Sequence, residues 1–383
     1  MNRLFSGRSR PSRRVTAQDR AHLTLLGAVL SEDCQAAETL LLDPDWDLEG
    51  FESFLHRHRL AGLVTWYLQR LGCLGTAFEP LLANTRQAYL YQWIANERLA
   101  RELARLTRLF QRDRLEVLSL KGPLLAQRFY GSLDARAISD LDLLVRDRQD
   151  LDRMERLLLA DGYEPAYGLL LGRGTSMRFT HHFAYRKERT SIEVHWVLQQ
   201  HYSFRIDYER LWRESEIARI GAVAIRVPSA EYELLLQTLS LLTDLQVGKL
   251  TLKPLVDTYR IVRHLSDEFA WDRLLLARRR ERVLTSTSHF LACALEAFDC
   301  YDEFPRLNQA LEAVRVNRTA VRNGLPALLH SEATNTGQKL AALRLYDASL
   351  VGAIGWWAIS LPFRLAVYRD PTPGENTAES DRQ

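Results

Sequence analysis

The sequence predicts an α+β protein, mostly helical, in which a small mixed sheet is flanked by helical regions on both sides. Three observations carry this. Apolar residues recur at intervals of three and four through residues 17–112. Short apolar runs bounded by turn residues replace that pattern over 113–200. Helical periodicity then returns across 201–368.

In the N-terminal helical region, the segment NERLARELARLTRLFQR sets Leu99, Leu103, Leu106 and Phe110 in one stripe, with Arg and Glu on the other side. Those arginines read as a solvated face rather than a nucleic-acid surface. The middle region opens with LEVLSL, Leu115 to Leu120, a short strand ending at Lys121-Gly122-Pro123. LLAQRFYG then reads as a brief helix stopped by Gly131. A second strand, ISDLDLLV, runs from Ile138 to Val145, and RQDLDRMERLLLADGY is a helix with Gly162 just past its end. After a glycine-rich link, SMRFTHHFAYRK and SIEVHWVL read as two strands joined by a turn at KERT. From Tyr208 onward, EYELLLQTLSLLTDLQ, LKPLVDTYRIVRHL and WDRLLLARRRERV are separate helix candidates, with no internal repeat.

At 383 residues and 46% hydrophobic the chain has ample material for sizeable cores. A net charge of +3 with 26% charged residues does not announce nucleic acid as a partner. Cys34, Cys73, Cys293 and Cys300 are scattered and form no C-x-x-C pair, which argues against a disulfide framework or zinc knuckle and for a reducing cytoplasm. Residues 1–16 contain MNRLFSGRSRPSRR, with five arginines, no acid and no apolar core of a secretory signal; they read as a disordered basic tail. Residues 369–383 are polar and rich in breakers, and read as a second disordered tail. The run ASLVGAIGWWAISL, Ala348 to Leu361, is too short to cross a bilayer. It reads as a buried or interfacial helix, with protein or peripheral-membrane docking through 348–368 as the alternative.

The chemistry begins at ISDLDLLV. In a strand, Asp140 and Asp142 point the same way while Leu141 and Leu143 point the other. Two anions held side by side repel unless a cation or proton lies between them. In SIEVHW, Glu193 and His195 share a face, so an adjacent antiparallel strand would bring Glu193 beside the Asp pair. Three acids around one point suit Mg²⁺ or Mn²⁺, and two such ions can flank a transferring phosphoryl group. Lys121-Gly122-Pro123 offers the complement: Gly122 permits close backbone approach, Pro123 suits a first helical turn, and the free N–H groups there favour anions.

Alternatives stand beside these roles. Lys121 reads as a phosphate contact or a surface lysine. Arg136 neutralises the Asp pair, touches phosphate or forms a structural ion pair. His195 reads as a hydrogen-bonded supporting histidine rather than a ligand. His181, His182, His56 and His58 lack partners at metal-ligand spacing and read as ordinary. Lys249, Lys253 and Asp257 border a nucleotide pocket or, as the plainer reading has it, are helix-surface charges.

The segment LSLKGPLLAQRFYGSLDARAISDLDLLVRDRQDLDRMERLLLADGY, followed by SIEVHW, resembles a bacterial family of uncharacterised nucleotidyltransferases, a branch of the DNA polymerase beta-like nucleotidyltransferase superfamily. The resemblance covers roughly residues 115 to 200, and the flanking helices, including Asp257 in LVDTYRIV, are also similar to family members. It implies a metal-dependent enzyme with a polymerase beta-like core, in which Asp140 and Asp142 bind two ions, Mg²⁺ or Mn²⁺. Glu193 would complete the site and act as base for the attacking hydroxyl. Lys121, Gly122, Arg136 and Ser139 would contact the nucleotide phosphates. The reaction implied is attack of an acceptor hydroxyl on the α-phosphate of a nucleoside triphosphate, expelling pyrophosphate, with the acceptor a small molecule, a protein or RNA. Where the wider superfamily carries Gly-Ser at the phosphate turn, this chain carries Lys121-Gly122.

Two other Asp-x-Asp classes fit poorly. Sugar-nucleotide glycosyltransferases place the motif after a long nucleotide-binding α/β region, whereas only helices precede it here by any distance. Haloacid-dehalogenase-type phosphatases put the apolar strand before their acids, and here it follows them. The competing reading is a degenerate nucleotide-binding or scaffold protein on the same fold.

Overall fold

The structure, a computed structural model, describes residues 15–73, 75, 77–166, 173–199, 203–247, 250–330, 355 and 358. Lys249, both expected tails apart from residues 15 and 16, most of the glycine-rich link and nearly all of 348–368 lie outside the described residues. In chain order the elements begin with α1 (Ala17–Leu30), α2 (Cys34–Leu41), α3 (Leu48–Arg57), α4 (Ala61–Arg70) and α5 (Glu79–Arg112). Next come β1 (Val117–Leu120), α6 (Gly122–Tyr130), β2 (Leu141–Val145), α7 (Asp150–Ala160) and β3 (Glu164–Pro165). They are followed by α8 (Arg173–Phe179), β4 (His182–Lys187), β5 (Thr190–His195), α9 (Tyr208–Arg213), β6 (Glu216–Ile220) and β7 (Val223–Val227). Helices α10 (Ala230–Val247), α11 (Lys253–Leu265), α12 (Trp271–Arg280), α13 (Leu284–Phe298), α14 (Pro305–Ala313) and α15 (Arg318–Leu329) complete the order. The chain is α+β and mostly helical, with one mixed seven-stranded sheet among the described residues.

Two compact units divide it. One comprises the described residues within Met1–Ile94, Ala126–Ala137 and Ala230–Asp347; the other, those within Ala95–Leu125, Ile138–Ser229 and Ala348–Gln383.

The first unit is helical. Its entry is fixed by a capping box, in which Thr16 Oγ1 accepts from the Asp19 N–H while the Asp19 carboxylate accepts from the Thr16 N–H. Helix α13 is buried along most of its length and ends on Asp299 in the left-handed conformation, φ 49°. Inside this unit Asp257 is fully buried on α11, so the helix-surface reading of that residue is wrong. Its carboxylate receives Arg136 Nε at 2.8 and 2.9 Å, Arg136 Nη2 at 2.7 Å and the Tyr130 hydroxyl at 2.6 Å. A buried acid must be paired, and a planar guanidinium with a phenol meets that demand. Cys34 and Cys73 form a disulfide with Cα atoms 6.3 Å apart, while Cys293 and Cys300 are free and buried. The bridge corrects the expectation from cysteine spacing, because folding of the helices joins residues 39 apart in sequence.

The second unit holds the sheet, ordered β3-β4-β5-β2-β1-β7-β6. β2 pairs parallel with β5 and β1 parallel with β7; the remaining pairs are antiparallel. Three expectations change here. β5 runs parallel to β2, not antiparallel, although the β4–β5 hairpin still turns at KERT. The segment beginning at Ser176 is helical in α8, and the strand starts only at His182. The β6–β7 hairpin falls in a stretch that periodicity assigned to helix; its alternation Val223, Ile225, Val227 buries one face, and Gly221 makes the turn at φ 56°.

Alternation sorts the central strands by chemistry. Leu141, Leu143, Ile192, Val194 and Phe183 form a buried apolar face. Leu103 and Phe110 of the α5 stripe line one cavity with Val117 and Leu143 on that side. Asp142, Glu193, His195 and His182 lie on the other face.

Candidate functional site

Register places the acids. Asp142 is the direct partner of Glu193 across β2 and β5, and of Leu120 across β2 and β1. On the outer side of β5, His195 is opposite His182 of β4. Asp142, Glu193, His195 and His182 therefore share one face over three neighbouring strands.

The side chains meet there. His195 Nε2 donates to Asp142 Oδ1 at 3.0 Å and lies 3.5 Å from Glu193 Oε2; His182 Nε2 is 3.6 Å from the same Glu193 oxygen. Burial is unequal: the Asp142 and His195 side chains are 12% and 6% exposed, whereas Glu193 keeps 28% and can meet an incoming group. Burial works against the Asp142 carboxylate, yet the charge of Lys121 and the hydrogen bond to His195 hold its pKa well below the usual carboxylate range. Burial likewise disfavours a charged His195, but its bonds to Asp142 and Glu193 prevail and raise it to about 9. In His182 burial wins, and the imidazole is held down to about 4.

The turn before α6 closes on this face. Lys121 and Gly122 both adopt left-handed backbone, φ 48° and 59°. For lysine that conformation costs about 1–2 kcal/mol, a strain that persists only where surrounding structure imposes it. A Cβ on Gly122 would stand 4.0 Å from the Asp140 carbonyl oxygen, so the turn abuts the start of the Asp-bearing strand. Ser139 donates through Oγ to Asp140 Oδ1 at 3.0 Å.

Not every expected residue joins the cluster. Among the described residues, Asp142, Glu193 and His195 each offer a ligand atom within 4.8 Å of the others, and so do His181, His182 and His195; Asp140 belongs to neither group. Arg136 is engaged by Asp257 in the helical unit, the ion-pair alternative for that residue. Lys253 is half-buried at the start of α11. His181 and His182, read as lacking partners at metal-ligand spacing, do have one in His195: counting outward from the KERT turn sets His182 opposite His195, a signal present in the sequence.

The donor chemistry fits a divalent ion. Two carboxylates fixed opposite one another demand positive charge, and the structure meets that demand with the His195 imidazolium and Lys121. Asp142 and Glu193 supply hard oxygens, and His195 stands within 4.8 Å of both with its Nε2 held by Asp142.

A mixed sheet bearing paired acids on one face, with a strained Lys-Gly turn closing on the acidic strand, defines a nucleotidyltransferase-like domain in a mostly helical chain. The family model described as uncharacterised nucleotidyltransferase matches residues 44–299, and the chain belongs to that family. Neither a curated protein nor a solved structure matches it. No helix among the described residues is long and apolar enough to cross a membrane.

Proposed function

We propose that this chain transfers a nucleoside monophosphate from a nucleoside triphosphate to a hydroxyl of an acceptor, releasing pyrophosphate. The observation that carries the proposal is the Asp142–Glu193 register, which sets a buried and a solvent-reachable carboxylate side by side next to the Lys121-Gly122 turn.

Each residue has a task. Lys121 and the N–H groups opening α6 receive the triphosphate, with Gly122 letting the backbone approach. Ser139 lies at the same mouth and orients Asp140. Asp142 and Glu193, with Asp140 at the mouth, would hold Mg²⁺ or Mn²⁺, which when bound would neutralise phosphate oxygens and acidify the acceptor hydroxyl. Glu193, the more accessible acid, takes the hydroxyl proton as the acceptor oxygen bonds to the α-phosphorus and the bond to pyrophosphate breaks. His195 orients Asp142 through its hydrogen bond.

The test is labelling. The full chain, incubated with α-labelled nucleoside triphosphates and Mg²⁺ in a cell extract, is expected to label one species, and Asp142→Ala to label none. Equal labelling by that variant refutes the assignment. A second reading, nucleotide binding without turnover, draws on two observations: His195 stands between Asp142 and Glu193, and Asp140 stands outside their cluster. Saturable nucleotide binding with no labelled product in any extract would favour it.

A further inference from the structure

We propose that His181, His182 and His195 form a binding site for one borderline transition-metal ion of the Zn²⁺ or Co²⁺ kind, adjoining the carboxylate pair. This goes beyond the nucleotidyl reading and does not depend on it.

The three imidazoles are gathered by backbone pairing. His182 and His195 are direct partners in the β4–β5 ladder, and the Trp196 N–H donates to the His181 carbonyl at 3.2 Å, extending the pairing by one residue. Ring centroids lie 4.7 Å apart for His181 and His182, 5.0 Å for His182 and His195, and 5.5 Å for His181 and His195. One ring nitrogen from each lies within 4.8 Å of the other two. Three nitrogen donors on a hairpin end with a rigid ladder behind them are largely preorganised, so little side-chain entropy opposes binding.

A second observation concerns His195 alone. Its Nε2 is committed to Asp142, while its Nδ1 is buried without a hydrogen-bond partner among the described residues. A ring whose one nitrogen is held by a carboxylate and whose other has no partner has the arrangement of a metal-bound histidine, since such ligands donate their far N–H to a carboxylate. A buried polar atom left unsatisfied is costly, and a ligand at that nitrogen would satisfy it.

The donor set decides the class of ion. Imidazole suits zinc, cobalt, nickel and copper, whereas magnesium and calcium prefer oxygen. Asp142 and Glu193 lie beside the cluster and offset much of a dication's charge.

The full chain, free of any histidine tag and stripped with chelator, is titrated with Co²⁺ and read by visible absorption; Zn²⁺ is then added in competition. No nucleotide is present, so the outcome is separate from that of the transfer reaction. One equivalent of Co²⁺ with intense low-coordinate absorption, displaced by Zn²⁺ and resistant to a thousandfold excess of Mg²⁺, is expected. Both His181→Ala, at a half-buried position, and His182→Asn remove a ligand and are expected to weaken binding by more than the roughly 10–100-fold that loss of an outer-shell partner costs, with circular dichroism of each unchanged. Absence of Co²⁺ binding, displacement by equimolar Mg²⁺, or full affinity in a folded His181→Ala protein would overturn the proposal.

Discussion

His195 Nε2 donates to Asp142 Oδ1 across 3.0 Å, tying the last residue of β5 to the strand beside it. The pair has a consequence for stability. The His195 pKa is raised from 6.5 to about 9, so its contribution is fully present below 6.5 and is lost as pH rises through 9. The size is up to about 3 kcal/mol. Urea unfolding of the wild type is expected to weaken between these limits, and Asp142→Asn to flatten that dependence. Parallel alkaline slopes in the two proteins would count against the pairing.

His58 acts in the opposite direction. It is fully buried, accepts from the Leu252 N–H through Nδ1 at 3.3 Å, and burial followed by the charge of Arg57 lowers it from 6.5 to about 4. The unfolded chain takes up this proton as pH falls below 6.5 while the folded chain resists until about 4, so stability falls over that window. Between pH 7 and 5 the loss is about 2 kcal/mol. His58→Gln keeps an acceptor for Leu252 but does not titrate; its urea midpoint is expected to fall correspondingly less over that range.

The Arg136–Asp257–Tyr130 network is structural. Removing one partner of a buried ion pair strands the other, so Asp257→Ala is expected to cost about 3–5 kcal/mol. Tyr130→Phe, losing one hydrogen bond to a charged acceptor, should cost about 2 kcal/mol. Because both act on one carboxylate, the double variant should lose less than the sum, which a denaturation cycle measures. Strict additivity would show that the hydroxyl acts elsewhere.

The Cys34–Cys73 bridge closes a span of 39 residues, worth about 4 kcal/mol by loop entropy. Purified without reductant and denatured, the chain should expose two reactive thiols, Cys293 and Cys300. Reduction should lower the melting temperature. Four reactive thiols before reduction would contradict the bridge.

Much of this was legible from short-range chemistry. The Asp-bearing strand, the Lys-Gly turn and the KERT hairpin are local patterns, and the structure contains all three, although the strand starts at Leu141 rather than Ile138 and so leaves Asp140 just before it. What escaped is long-range. Whether β5 lies parallel or antiparallel to β2 is decided by chain routing, which alternation does not encode. Asp257 looked like a surface charge because its partners, Arg136 and Tyr130, are more than a hundred residues away. The β6–β7 hairpin was missed because short strands with an exposed Ile217 and a charged Arg219 resemble helix-surface patterning. His181 and His182 have no metal-ligand spacing in the sequence, although the hairpin turn fixes the register of His182 with His195.

The most direct measurement is anomalous diffraction from crystals grown with Mn²⁺ and a non-hydrolysable nucleoside triphosphate. The peak is predicted against the Asp142 and Glu193 carboxylates, with triphosphate density on the Lys121-Gly122 turn. Manganese and triphosphate bound elsewhere, with His195 still bridging the two acids, would contradict the assignment.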